Sequence, residues 1–170
     1  MIARFWPFLL SLIVIALDRA SKHWIETQFR AWDVVVVIPG LFQIVHTRNT
    51  GIAFGFLGGN GQLGQWALIL FSLAVMALVV SLLWTSSQPA TREHWTLRAA
   101  LASVLGGAAG NLYDRIVFGS VTDFLDFFTG THHFPIFNIA DSAITCGAGL
   151  LIVHLWFLRE PARARGGKSA

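Results

Sequence analysis

Charge is scarce in this sequence. Only 12% of its 170 residues are Asp, Glu, Lys or Arg, about half the share in an average soluble domain. A chain this short exposes much of its surface and needs charge to stay in water. The deficit therefore argues against a soluble enzyme and against a disordered chain. Cysteine is scarcer still: a single one, Cys146, excludes an intramolecular disulfide and a Cys-based zinc site. The 12 basic residues are dispersed and cluster only at the C-terminus, so the +3 net charge gives no reason to expect nucleic acid as a partner. There is no internal repeat. The only low-complexity stretch is the tail 163–170, expected to be disordered.

What is abundant is apolar: 55% hydrophobic residues and a mean hydropathy of +0.62. That composition predicts a mainly α polytopic membrane protein with one domain over residues 1–170. A span takes about 20 mostly apolar residues, and four candidates run over 5–22, 63–84, 97–113 and 134–158. The first resembles a signal peptide in length. No small-x-small cleavage site precedes its polar end Asp18–Lys22, however, so it reads as a retained span. Four spans put both termini on one side. Seven basic residues fall there and five on the other side, a bias that favours cytoplasmic termini.

Two outer loops, 19–62 and 113–133, then hold most of the polar sequence. In the first, the β-branched run Val34–Ile38, the turn signal Pro39-Gly40 and the apolar run Leu41–His46 read as a small hairpin or curved sheet on the membrane surface. The Gly-rich apolar segment Asn49–Leu57 reads as a re-entrant or interfacial piece.

An ionisable residue at membrane depth costs a few kcal/mol even on lenient scales and needs a reason. Asp141 reads as seven residues into the fourth span, about 10 Å below its outer end at a helical rise of about 1.5 Å. Pro135 would occupy the first helical turn, and Asn138 would lie one turn before Asp141 on the same face. Asp123 sits in the apolar stretch Val121–Phe128, joined to Asp141 by a loop on the same side. Two carboxylates that share a site cannot both ionise cheaply, so one keeps a proton. Such a pair can hydrolyse an amide: the ionised member takes a proton from water and the protonated member polarises the carbonyl.

Asp126 is the competing partner. It shares a face with Asp123 if the stretch is helical and takes the opposite face if it is a strand; it reads as structural or solvated. Asn111 and Arg115 share a helical face, as do Asp18 and Lys22, an expected ion pair. Gly106 reads as a helix-packing residue, His154 as facing lipid or a neighbouring helix, and Cys146 as a small packing residue. His132 and His133 could be drawn with Asp123 and Asp126 as a metal site. Adjacent histidines at a loop end lack helical ligand spacing, so neither a metal nor a cofactor is expected.

Five segments in order carry a resemblance. They are Asp18-Arg19-Ala20-Ser21-Lys22, Asn49-Thr50-Gly51-Ile52-Ala53-Phe54, Gly106–Arg115, Val121-Thr122-Asp123-Phe124 and Phe137-Asn138-Ile139-Ala140-Asp141. Together they resemble the motifs of the bacterial lipoprotein signal peptidases (signal peptidase II). The resemblance implies a cofactor-free aspartic endopeptidase of the inner membrane, with its active site near the periplasmic face. It implies four transmembrane helices and a small periplasmic β-cradle with an adjoining half-helix. Its partners would be membrane lipids and diacylglyceryl-prolipoproteins, cut just before the lipidated Cys, with globomycin-type peptides as inhibitors. By motif, Asp123 and Asp141 would be the catalytic dyad. Asn49, Asn111, Arg115 and Asn138 would position the dyad or substrate, and Asp18, Lys22 and Gly51 would support them. A small ion- or proton-coupled transport subunit using Asp18 and Asp141 is the alternative reading.

Overall fold

Long uncharged runs become helices because only a helix satisfies every backbone polar group without help from water. The computed structural model describes residues 2–51, 61–86 and 95–158. It contains helices α1 (Ile2–Gln28), α2 (Gly61–Ser86), α3 (Trp95–Phe118) and α4 (Ile139–Val153), the last continued by one π-helical turn, His154–Leu158. Four strands accompany them: β1 (Val34–Ile38), β2 (Phe42–Asn49), β3 (Val121–Thr129) and β4 (His132–His133). The re-entrant segment expected at Asn49–Leu57 falls mostly outside the described residues, as does the tail 163–170. Among the described residues, Gln62–Ser86 and Ile139–Phe157 are helical, long and apolar enough to cross a membrane.

The distribution of polarity is inverted relative to a soluble protein. Leu9, Leu12 and Leu17 of α1, Leu63, Trp66 and Phe71 of α2, and Trp156 and Phe157 beyond α4 are exposed. Asp18, Lys22, Asp114, Asn138 and Arg98 are buried. Charged groups turned inward and leucines turned outward suit a hydrocarbon surrounding. An apolar cluster of Val79, Leu83, Leu101 and Leu105 joins α2 to α3, with Phe8 of α1 against it.

Small residues let the helices approach closely. A Cβ on Gly106 would lie 2.7 Å from Val14 Cβ, and one on Gly110 would enter the Asp18 carboxylate. The packing role expected of Gly106 is thus the seam between α1 and α3.

The strands form one antiparallel sheet in the order β1-β2-β3-β4. The hairpin expected at Val34–His46 is present, and its turn uses Gly40 at φ +76°, a conformation that costs glycine little. The sheet is larger than the hairpin, because β2 pairs with β3 in the register Thr47↔Asp123 and Asn49↔Val121. The stretch around Asp123, open between helix and strand in sequence, is a strand. Val121 to Phe124 are all buried, so no polar–apolar alternation marks it.

The helical reading of Phe134–Asn138 is corrected. Phe137 makes a bridge to Leu125, donating to its carbonyl at 3.1 Å and accepting its N–H at 2.8 Å. Pro135 therefore lies in an extended connection, and α4 begins at Ile139. Asp141 is in the first turn of α4, not two turns inside it.

Candidate active site

The site is assembled where α4 begins. Asn138 is the N-cap of α4: its Oδ1 accepts the Asp141 N–H at 2.9 Å, and the Asp141 carboxylate accepts the Asn138 N–H at 3.2 Å. This reciprocal capping box fixes the Asp141 side chain at the positive end of the helix dipole. The same Asn138 is fully buried, and its Nδ2 donates to Asp123 Oδ1 at 2.7 Å. Strand β2, held in register against β3, delivers Asn49, whose Nδ2 donates to Asp123 Oδ2 at 3.0 Å. On α3, Asn111 Nδ2 donates to Asp141 Oδ1 at 2.8 Å. Two carboxylates from different elements are thus tied into one set of amide bonds.

Asp123 is buried in the sheet, 3% exposed. Burial first, and the charge of Asp141 second, push its carboxyl up from the ordinary 3.8 to about 7. Near neutral pH it is therefore poised between its acid and base forms.

Six of the nine residues singled out in the sequence line a single cavity of about 1090 Å³: Asn49, Gly51, Asn111, Arg115, Asp123 and Asp141. Phe134, Pro135, Ile136, Phe137 and Ile144 give that cavity an apolar wall. Arg115 reaches into it from the last turn of α3 and donates to the Gly51 carbonyl at 3.4 Å. The remaining three residues lie beneath. Asn138 is described above; Asp18 and Lys22 form the expected ion pair, 2.7 Å apart and wholly buried.

The buried network extends beyond the residues singled out in the sequence. Asp114 is also fully buried, 2.9 Å from Lys22 Nζ and paired with Arg19. Glu26 accepts from Thr122 Oγ1 at 2.6 Å, which ties α1 to β3. The one available signal was spacing, since Asp114 lies three residues after Asn111 on the same helical face.

Other expectations resolve individually. Asp126 is buried, accepts from Gln43 Nε2 at 2.7 Å and lies 2.8 Å from His133 Nδ1, so it is structural and not solvated. His154 is buried and 2.8 Å from Thr96 Oγ1 on the neighbouring helix. Cys146 is not a packing residue: it is exposed and lines the cavity. Among the described residues no three His, Cys, Asp or Glu side chains are grouped to hold a metal ion.

Comparison with known proteins adds independent findings. The family model described as signal peptidase (SPase) II matches residues 10–157. A lipoprotein signal peptidase of Solibacter usitatus is 40% identical over 146 residues, covering 84% of this chain and 85% of its own. One from Shewanella sediminis is 38% identical over 164 residues, covering 96% and 90%. A bacterial membrane enzyme solved by the in meso method at 2.3 Å superposes with a TM-score of 0.80 at 29% identity, over 95% of this chain and 94% of its own. The transport alternative finds no support among these relatives.

Proposed function

The chain belongs to the signal peptidase II family, and on that premise we propose that Asp123 and Asp141 are the two carboxylates that hydrolyse its substrate's scissile bond. The protein is a membrane peptidase that removes signal peptides from prolipoproteins. The observation that carries the assignment of residues is the shared Asn138, which caps the helix bearing Asp141 while donating to Asp123.

The chemistry follows from the two environments. Asp141 accepts two N–H bonds at a helix N-terminus, an arrangement that stabilises negative charge. It takes the proton of a water as that water attacks the scissile carbonyl carbon. Asp123, with its carboxyl held up to about 7, donates its proton to the carbonyl oxygen. The resulting diol collapses with cleavage of the C–N bond as Asp141 passes its proton to the leaving amine and Asp123 takes one back from a diol hydroxyl, which restores both acids. No covalent enzyme intermediate is formed. Asn49, Asn111 and Asn138 hold the acids, and Arg115 and the Gly51 backbone hold the substrate chain.

The apolar cavity wall suits a substrate that arrives through lipid as an apolar signal peptide with diacylglyceryl chains. We place the protein in the bacterial inner membrane. The spans 5–22, 63–84, 97–113 and the helical part of 134–158 cross it, both termini are cytoplasmic, and the sheet lies on the periplasmic face. Globomycin-type peptides would occupy the same cavity.

The test is a gel-shift assay with purified protein. A diacylglyceryl-modified precursor is cut just before its lipidated Cys, and globomycin blocks the cut. Release of the same product from a precursor without the lipid, or no cleavage of either, contradicts the reading.

A further inference from the structure

Three carboxamides donate to the two acids, and each must keep its oxygen turned away. An amide rotated by half a turn would set its oxygen against an ionised carboxylate, which only accepts. Asn49 is locked by the backbone, since its Oδ1 accepts the Gly51 N–H at 2.9 Å. Asn138 is locked likewise by the Asp141 N–H at 2.9 Å. Asn111 lies within α3, where neighbouring N–H groups serve the helix. Its Oδ1 accepts from Lys22 Nζ at 3.0 Å and, more distantly, from Asn138 Nδ2 at 3.3 Å.

An ammonium has three donors and no acceptor. Lys22 donates to Asp18 Oδ2 at 2.7 Å and to Asn111 Oδ1 at 3.0 Å, and its charge lies 2.9 Å from Asp114 Oδ2. Arg19 also pairs with Asp114 and, at 3.9 Å, with Glu26, so two cations serve three carboxylates in the linked cluster. Lys22 has no exposed side-chain surface and is not among the residues lining the cavity. It cannot touch substrate; it acts on the site through its bond to Asn111 and, besides, through its charge on Asp123 and through Asp18, which accepts the Ala140 N–H at 3.0 Å.

We infer that Lys22 is a positioning residue: its ammonium fixes the Asn111 amide so that an N–H, never the carbonyl oxygen, faces Asp141. The inference rests on the reading of Asp141 as the group that takes the proton from water. With that bond removed, only the longer Asn138 contact at 3.3 Å holds the Asn111 oxygen, and the amide can rotate; its oxygen can face Asp141 only when that carboxyl is protonated and unable to act.

Lys22→Met alone would strand a buried Asp18 charge, so the substitution is made in an Asp18→Asn background. There Asp114 keeps Arg19, and the single amide oxygen serves either the Ala140 N–H or Lys22 Nζ, so Asp18→Asn is itself the reference for each comparison. Adding Lys22→Met lowers kcat about tenfold or more with KM within about twofold. Adding it to a chain that also carries Asn111→Ala lowers kcat no further. An equal drop in both backgrounds marks a merely structural lysine and overturns the inference, as does no drop in either.

The Asn111 side-chain amide resonance, identified by its loss in Asn111→Ala, gives a readout independent of turnover. In Asp18→Asn it shows one proton shifted downfield by the carboxylate bond, and Lys22→Met removes or doubles that signal. An unchanged resonance overturns the lock, and it decides the matter if Asn111→Ala turns over too slowly to measure. Retained turnover in Asp141→Asn would instead sink the functional reading and leave the resonance result standing.

Discussion

Asn138 binds both candidate acids at once: Nδ2 donates to Asp123 at 2.7 Å while Oδ1 accepts the backbone N–H of Asp141 at 2.9 Å. The start of α4 and the spacing of the two carboxylates are therefore set by one side chain. Replacing it separates the two roles. Asn138→Ala loses the cap, at about 1 kcal/mol or about 2–4 °C in thermal midpoint, and also the bond to Asp123. Asn138→Ser keeps a capping oxygen and recovers most of the stability. Its turnover stays about 100-fold down, because a serine hydroxyl committed to the cap leaves Asp123 held by Asn49 alone. Recovery of turnover together with stability would show that the bond to Asp123 does not matter.

As the proposed proton donor, Asp123 gives the activity a pH dependence of fixed sign. Its carboxyl is held up at about 7, by burial first and by the Asp141 charge second. Below that pH it carries the proton it must donate. Above it the proton is lost, and kcat/KM falls about tenfold per pH unit. The same shift acts on stability. Between the ordinary 3.8 and about 7 the native chain holds a proton that the unfolded chain has released. This group's contribution therefore falls as pH rises through that window and is level above it. A pH series of initial rates and thermal midpoints checks both. A rate that climbs from pH 6 to 9 would contradict the donor role of Asp123.

What the sequence made legible were local relationships. The Asp18–Lys22 pair is one helical turn apart, and Val34–Ile38 with Pro39-Gly40 is a strand and its turn; both follow from neighbours in the chain. The pairing of Thr47 with Asp123 joins residues far apart in sequence, and nothing in either stretch names its partner. The start of α4 is hidden in the sequence because Phe134–Phe137 are apolar and read as a continuation of the span. They are apolar because they wall the cavity and bridge to Leu125. Asp114 is not legible for a related reason: its partner Lys22 sits on another helix, and only the folded bundle brings the two together.

The most direct measurement is turnover of a diacylglyceryl precursor by three single variants, each checked for intact folding by its thermal midpoint. Asp123→Asn and Asp141→Asn each remove a group with its own proton task and abolish cleavage. Asp126→Asn, on the opposite face of β3 and bonded to Gln43 and His133, keeps substantial activity. Normal turnover by Asp123→Asn or Asp141→Asn, or a dead Asp126→Asn that is still folded, would contradict the assignment of the acid pair.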